Sequence, residues 1–207
     1  MARHERSLAP DYFERLFAAN PDPWGFETRA YEARKYDHTL AALEGRRFPL
    51  GFEIGCANGV LTRRLAGRCA SLLAVDVSAT ALARARARCA DLRHVRFAEM
   101  RFPRRVPDAT GFDLIVVSEV AYYWDHRDLA RAGAWLRGAL APGGTVILVH
   151  WTGETDYPQS AGEAVEALHN GVSDLVEVRR AERRTGYRLD LWRRPDTGGA
   201  NNGKDGP

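Results

Sequence analysis

From residue 50 to about residue 150, short apolar runs alternate with helical patterns, and that rhythm admits very few folds. Phe52 and Ile54 begin a buried strand that stops at Gly55, and a helix is expected over 59–68. A strand over 72–76 leads to Ser78, which can cap an Ala- and Arg-rich helix ending near Cys89. Strands follow at 95–98 and, strongly apolar, at 112–117; a helix over 129–140 is stopped by Ala141-Pro142-Gly143-Gly144, and a strand over 145–149 comes next. Such alternation implies a parallel sheet with helices on both faces. Strand-like segments at 175–178 and 187–191, separated by a turn containing Gly186, imply a closing antiparallel pair. The expected class is therefore α/β: a doubly wound, mostly parallel sheet with a C-terminal antiparallel hairpin. That hairpin is unusual for an ordinary dinucleotide-binding fold.

Ahead of the sheet, Tyr12, Phe13, Leu16 and Phe17 recur at helical spacing, which predicts a short amphipathic helix over 11–20. Asn20-Pro21-Asp22-Pro23-Trp24-Gly25 cannot continue it, and a second helix is expected over 28–44. At the other end, 195–207 is almost devoid of apolar residues and is expected to be disordered. With 207 residues, the chain is most simply one domain. Its 30 basic side chains nearly balance 27 acidic ones, and all but Lys35 and Lys204 are Arg, a compositional bias rather than a concentrated basic face. No nucleic-acid partner is expected. Cys56, Cys69 and Cys89 have neither disulfide nor zinc spacing, so no metal is expected. The N-terminal stretch lacks the apolar run of a signal peptide or membrane span, which makes the cytoplasm the expected compartment.

The most informative segment is Phe52-Glu53-Ile54-Gly55-Cys56-Ala57-Asn58-Gly59-Val60-Leu61-Thr62, a Gly-containing loop between strand and helix. Such a loop lets a ligand approach the backbone, although an ordinary tight turn has the same look. Asp76 adds weight: it ends the next strand about 20 residues on, where a carboxylate can accept hydrogen bonds from ribose hydroxyls. Counting from Gly55, the other two glycine positions of a pyrophosphate-binding fingerprint hold Ala57 and Val60, and no phosphate-loop pattern is present. An adenosine ligand without phosphate fits better, and S-adenosylmethionine is such a ligand.

GFEIGCANG, LLAVDVS, FAEM, FDLIVVSEVAYYW and LAPGGTVILVHW together resemble the motif series of class I, Rossmann-like methyltransferases. DPWGFETRAYEARKY and SEVAYYW are more specifically similar to the nodulation protein S family, whose members N-methylate an amino sugar. The usual middle glycine of the first motif is Ala57 here. The resemblance implies that Gly55, Cys56 and Asn58 line the methionine and ribose portion and that Asp76 holds the ribose. Val77 and Met100 would sandwich the adenine, with Glu99 at its amine, and Ser118 would lie beneath the amino-acid end. Residues 1–45 would form a helical lid on a methyltransferase domain at 46–194. Trp24, Tyr31 and Arg34 would belong to that lid, Arg34 holding the cofactor carboxylate.

Tyr122, Tyr123 and Trp124 follow the fourth strand and Trp151 the fifth, at the edge where doubly wound sheets bind ligands. Glu119 and His150 end the same strands and are candidates to accept a proton from an amine or to orient it; Tyr122 can assist. Asp156 and Tyr157 are placed to touch substrate. The expected activity is methyl transfer from S-adenosylmethionine, leaving S-adenosylhomocysteine, to an amine of a small molecule by a monomer or homodimer. O-methylation, a non-catalytic cofactor-binding protein and a nicotinamide-dependent oxidoreductase are the alternatives.

Overall fold

The computed structural model describes residues 3–196. Helices α1 (Pro10–Ala19) and α2 (Ala30–Ala42) precede a unit of β1 (Phe48–Ile54), α3 (Val60–Leu65), β2 (Cys69–Asp76), α4 (Ala79–Arg88) and β3 (Val95–Glu99). There follow β4 (Phe112–Ser118), α5 (His126–Ala139), β5 (Leu140–Trp151), α6 (Ala161–Asn170), β6 (Glu177–Arg184) and β7 (Tyr187–Arg193). The seven strands form one sheet in the order β3-β2-β1-β4-β5-β7-β6. The first five are parallel; β7 runs antiparallel to both β5 and β6. The α/β class, the parallel core and the closing antiparallel pair are all as the sequence implies.

Strand periodicity divides the core into two layers, because successive side chains leave opposite faces. Phe52, Ile54, Ile115, Val117, Val146 and Leu148 pack with Leu129 and Leu136 of α5 and Val165 and Leu168 of α6. Leu114, Val116, Ile147 and Val149 pack on the other face with Leu43, just past α2, and with Leu61 and Leu65 of α3. The order reverses between β1 and β4, since β1 leads outward to β2 and β3 before the chain returns as β4. That reversal opens a crevice at the carboxyl ends of the strands.

Strands β1 and β5 start earlier than expected, at Phe48 and Leu140, and two further elements depart from the sequence reading. Helix α6 was not expected, yet it carries a legible start: Ser160 accepts from the Glu163 backbone N–H while Glu163 accepts from that of Ser160, a reciprocal capping box. The sixth strand, expected at 175–178, is Glu177–Arg184. Its sequence EVRRAERR lacks apolar alternation because it is a sheet edge, where charge discourages pairing with other chains. No helix among the described residues is long and apolar enough to cross a membrane. Of the tail expected to be disordered, 197–207 lie outside the described residues.

Candidate active site

The crevice between β1 and β4 opens into a cavity of about 410 Å³. Its floor comes from loops after β1, β2 and β4, and its cover from α1, α2 and the turn between them.

The loop after β1 depends on backbone that only a small residue tolerates. Gly55 has φ +74°, and a Cβ there would lie 2.2 Å from Val120 Cγ1. Ala57 is itself left-handed at φ +49°. Its amide compensates by donating to Asp76 Oδ2 at 2.8 Å, while Asp76 Oδ1 accepts from the Ser78 N–H at 2.9 Å. Asp76 thus ties the loop after β1 to the loop after β2. Burial raises its pKa although these backbone donors pull the other way. A carboxylate has about four acceptor sites, so two amides leave room for ribose hydroxyls.

Gly55, Cys56, Asn58, Asp76, Val77 and Met100 all reach the cavity wall, as does Ser118 at the end of β4. Burial holds Cys56 a neutral thiol. Trp24 and Tyr31 line the cover. Trp24 packs between Phe17 and Phe26, and the buried Tyr31 hydroxyl has no hydrogen-bond partner among the described residues.

Two expected contacts are corrected. Arg34 projects from the exposed face of α2; Lys35, one residue and about 100° further round the helix, turns inward instead. Glu99 ends the edge strand β3 with an exposed side chain off the cavity wall, and Met100 takes the inward position.

Sequence reasoning also missed residues. Glu53, from β1, lines the cavity with Oε2 buried and unpartnered among the described residues, as is Asn58 Oδ1. Burial, with the nearby Asp76 charge, pushes Glu53 up to about 7. The signal was its place inside the motif, one residue before Ile54. Glu14 of α1 accepts from the Ser78 hydroxyl at 2.6 Å and from the Thr80 hydroxyl, fastening the cover to the start of α4. Those two side-chain donors lower its pKa.

Opposite the loop, Glu119 sits at φ +57° immediately after β4. Its Oε1 lies 2.5 Å from Lys35 Nζ, and its Oε2 accepts from the Tyr122 hydroxyl at 2.6 Å and the Trp151 N–H at 2.8 Å. Burial alone would raise its pKa, but the Lys35 charge and these donors outweigh burial and hold it ionised. Lys35 is 2% exposed and also pairs with Glu32 at 2.8 Å. Burial works to neutralise Lys35, yet Glu119 and Glu32 prevail and raise its pKa. Burial and Glu119 keep Tyr122 a phenol.

His150 does not reach the wall. It is wholly buried, its Nε2 accepts from the Ala121 N–H at 3.2 Å, and burial pushes its pKa down to about 4. It supports the turn after β4 as a neutral ring and has no path to a substrate nitrogen. Tyr157 stacks on Tyr122 at the wall, and Trp151, 40% exposed, stands at the mouth. Asp156 pairs with His4 outside the cavity.

The model of the family described as nodulation protein S (NodS) matches residues 9–186. The chain belongs to the nodulation protein S family. Nodulation protein S of Bradyrhizobium diazoefficiens is 35% identical over 191 residues, which cover 88% of this chain and 83% of that relative. The N-methyltransferase NodS of Bradyrhizobium japonicum, solved with S-adenosyl-L-homocysteine, superposes with a TM-score of 0.78 at 27% identity, covering 90% of this chain and 98% of the other. A putative methyltransferase from Pseudomonas syringae gives 0.70 at 39% identity, covering 80% and 100%. This NodS-family chain is an S-adenosylmethionine-dependent methyltransferase.

Proposed function

We propose that the enzyme methylates an amine of a small molecule. The observation that carries this reading is the charge of the cavity's second half. Glu32 and Glu119 set two carboxylates against the single ammonium of Lys35, beside Ser118 and under Tyr122. When ionised, this buried trio keeps one negative charge in excess, partly offset by Arg29 at the exposed wall, and so favours a cationic acceptor over a neutral hydroxyl. The NodS relative, named as an N-methyltransferase, supports the same chemistry. A cavity of about 410 Å³ is also within the range of small-molecule sites.

The cofactor supplies an activated methyl group when bound. The buried unpartnered atoms suit it: Glu53 Oε2 fits its ammonium, and Asn58 Oδ1 and the Tyr31 hydroxyl offer further polar partners. Asp76 receives the ribose hydroxyls, and Val77 and Met100 flank the adenine. Lys35 carries a third ammonium donor available to the cofactor carboxylate, the part assigned to Arg34 on sequence grounds. Helices α1 and α2 act as a lid, with Glu14 at Ser78 and Thr80 as its latch. The lid excludes water, and the aromatic faces of Tyr122 and Tyr157 shape the acceptor side.

Methyl transfer measured on a panel of amino sugars, small amines and matched hydroxyl compounds tests the reading. Turnover is expected with amines. Turnover confined to hydroxyl compounds would replace N-methylation by O-methylation. Limited proteolysis before Lys35, slowed by S-adenosylhomocysteine, checks the lid.

A further inference from the structure

We propose that Glu32, on the lid helix, takes the proton from the acceptor nitrogen. The assignment rests on the amine reading above. An amine is mostly protonated at neutral pH, with an ordinary pKa of about 10, and cannot attack until it loses a proton. Three groups at this end of the cavity were candidates. Glu119 has both oxygens occupied by three donors and is held ionised by Lys35. His150 lies off the wall, its Nε2 bonded to a backbone amide. Glu32 alone combines a place on the wall with a lightly engaged carboxylate: its Oε2 is ion-paired with Lys35 at 2.8 Å yet accepts no hydrogen bond among the described residues.

The charged groups facing Glu32 are Lys35 and Arg29 of its own helix end and Glu119 from the β4 edge. Burial raises the Glu32 pKa, Lys35 pulls it down, Glu119 pushes it up, and the net shift is upward. The same burial works against an ammonium placed beside it, which narrows the gap between donor and acceptor. The acceptor ammonium gives its proton to a Glu32 oxygen. The freed nitrogen lone pair then forms the N–C bond to the methyl carbon, while the C–S pair stays on sulfur. Protonated methylamine and neutral thioether result, with Glu32 a neutral acid until it releases its proton to water. Lys35 keeps Glu32 turned toward the cavity and separates it from Glu119.

The test compares wild type with Glu32→Gln and Glu32→Asp on an amine found in the panel. Glu32→Gln should lower kcat by about 10²- to 10⁴-fold at pH 7. Its rate should climb with pH toward the amine's own pKa, because only amine deprotonated in solution remains usable. S-adenosylhomocysteine affinity should stay within about threefold of wild type. A readout independent of turnover is calorimetric titration of the amine into the S-adenosylhomocysteine complex, where Glu32→Gln should bind about tenfold more weakly. Turnover near wild type with an unchanged pH profile overturns the proposal, as does a rate loss matched by lost cofactor affinity. Should Glu32→Gln fail to fold, Glu32→Asp decides: a shortened carboxylate must lower kcat while leaving cofactor affinity intact. If only hydroxyl compounds are methylated, the amine reading fails on that result. Glu32→Gln measured on the hydroxyl acceptor then shows whether Glu32 still takes the proton.

Discussion

The floor and the cover of the cavity obey different rules. On the floor, Gly55, Asn58, Asp76, Val77 and Ser118 sit at strand ends, where period-two alternation and one tight loop leave each side chain little choice of direction. On the cover, Trp24, Tyr31, Glu32 and Lys35 come from α2 and the turn before it, and their facing is set by how that helix rolls on the sheet. A one-residue misreading on a helix turns a side chain by about 100°, from the cavity to water. The floor is specified locally; the cover is specified by packing.

The largest effect expected from this contrast is on the cover. Lys35→Met leaves Glu32 and Glu119 buried without their cation and should cost about 3–5 kcal/mol of stability, read as a lowered Tm. The folded Glu119 pKa lies below 4.5, so its contribution in wild type is present above that pH and lost as pH falls through the folded value. The Lys35→Met deficit should accordingly shrink on acidification. A Tm equal to wild type at pH 7 would make the cluster ornamental.

On the floor, Glu53→Gln should do the reverse. A carboxyl raised from 4.5 to about 7 contributes stability that is complete below 4.5 and lost as pH rises through 7. Its neutral replacement should therefore stabilise the ligand-free protein at pH 8 by up to about 3 kcal/mol, show no gain near pH 4, and bind S-adenosylhomocysteine more weakly. Thermal denaturation at the two pH values reads the sign. A gain at pH 4 and none at pH 8 would invert the assignment.

Asp76→Ala should weaken S-adenosylhomocysteine by about ten- to a hundredfold, since a buried charged acceptor is worth ~1.5–3 kcal/mol. Because Asp76 also holds the Ala57 and Ser78 amides, the same variant should lose some stability, a coupling that the sequence did not disclose. Calorimetry and Tm together separate the two losses. The smallest effect belongs to Arg34→Ala. An exposed side chain on α2 should leave cofactor affinity within about 0.5 kcal/mol of wild type, and a larger loss would return Arg34 to the site.

What was legible in the chain follows the same division. Strands β1 to β5 announced themselves by apolar runs bounded by turn residues, and the Ser78 cap on α4 is as expected. The motif loop placed Gly55, Cys56 and Asn58 without knowledge of the fold. Helix α6 was readable from Ser160 and Glu163 but lies in a stretch where Asp156 and Tyr157 drew attention as loop residues. Strand β6 was not readable by periodicity, because an edge strand facing water has no apolar face to display. Glu32 and Lys35 look like an ordinary solvated i,i+3 pair, and only the arrival of Glu119 from 84 residues away makes them a buried cluster.

The strand order carries a consequence for how the molecule is made. Strand β7, the last described strand in chain order, inserts between β5 and β6 rather than adding to an edge. A nascent chain short of Tyr187 therefore has a β6 with no neighbour to join, so the two strands are acquired together or not at all. The same segment braces α2: His38 contacts the Tyr187 hydroxyl at 2.7 Å and Glu182 at 3.1 Å. The helix bearing Glu32 and Lys35 thus takes part of its seat from strands far along the chain. The bracing of α2 therefore depends on a contact made across 149 residues of chain.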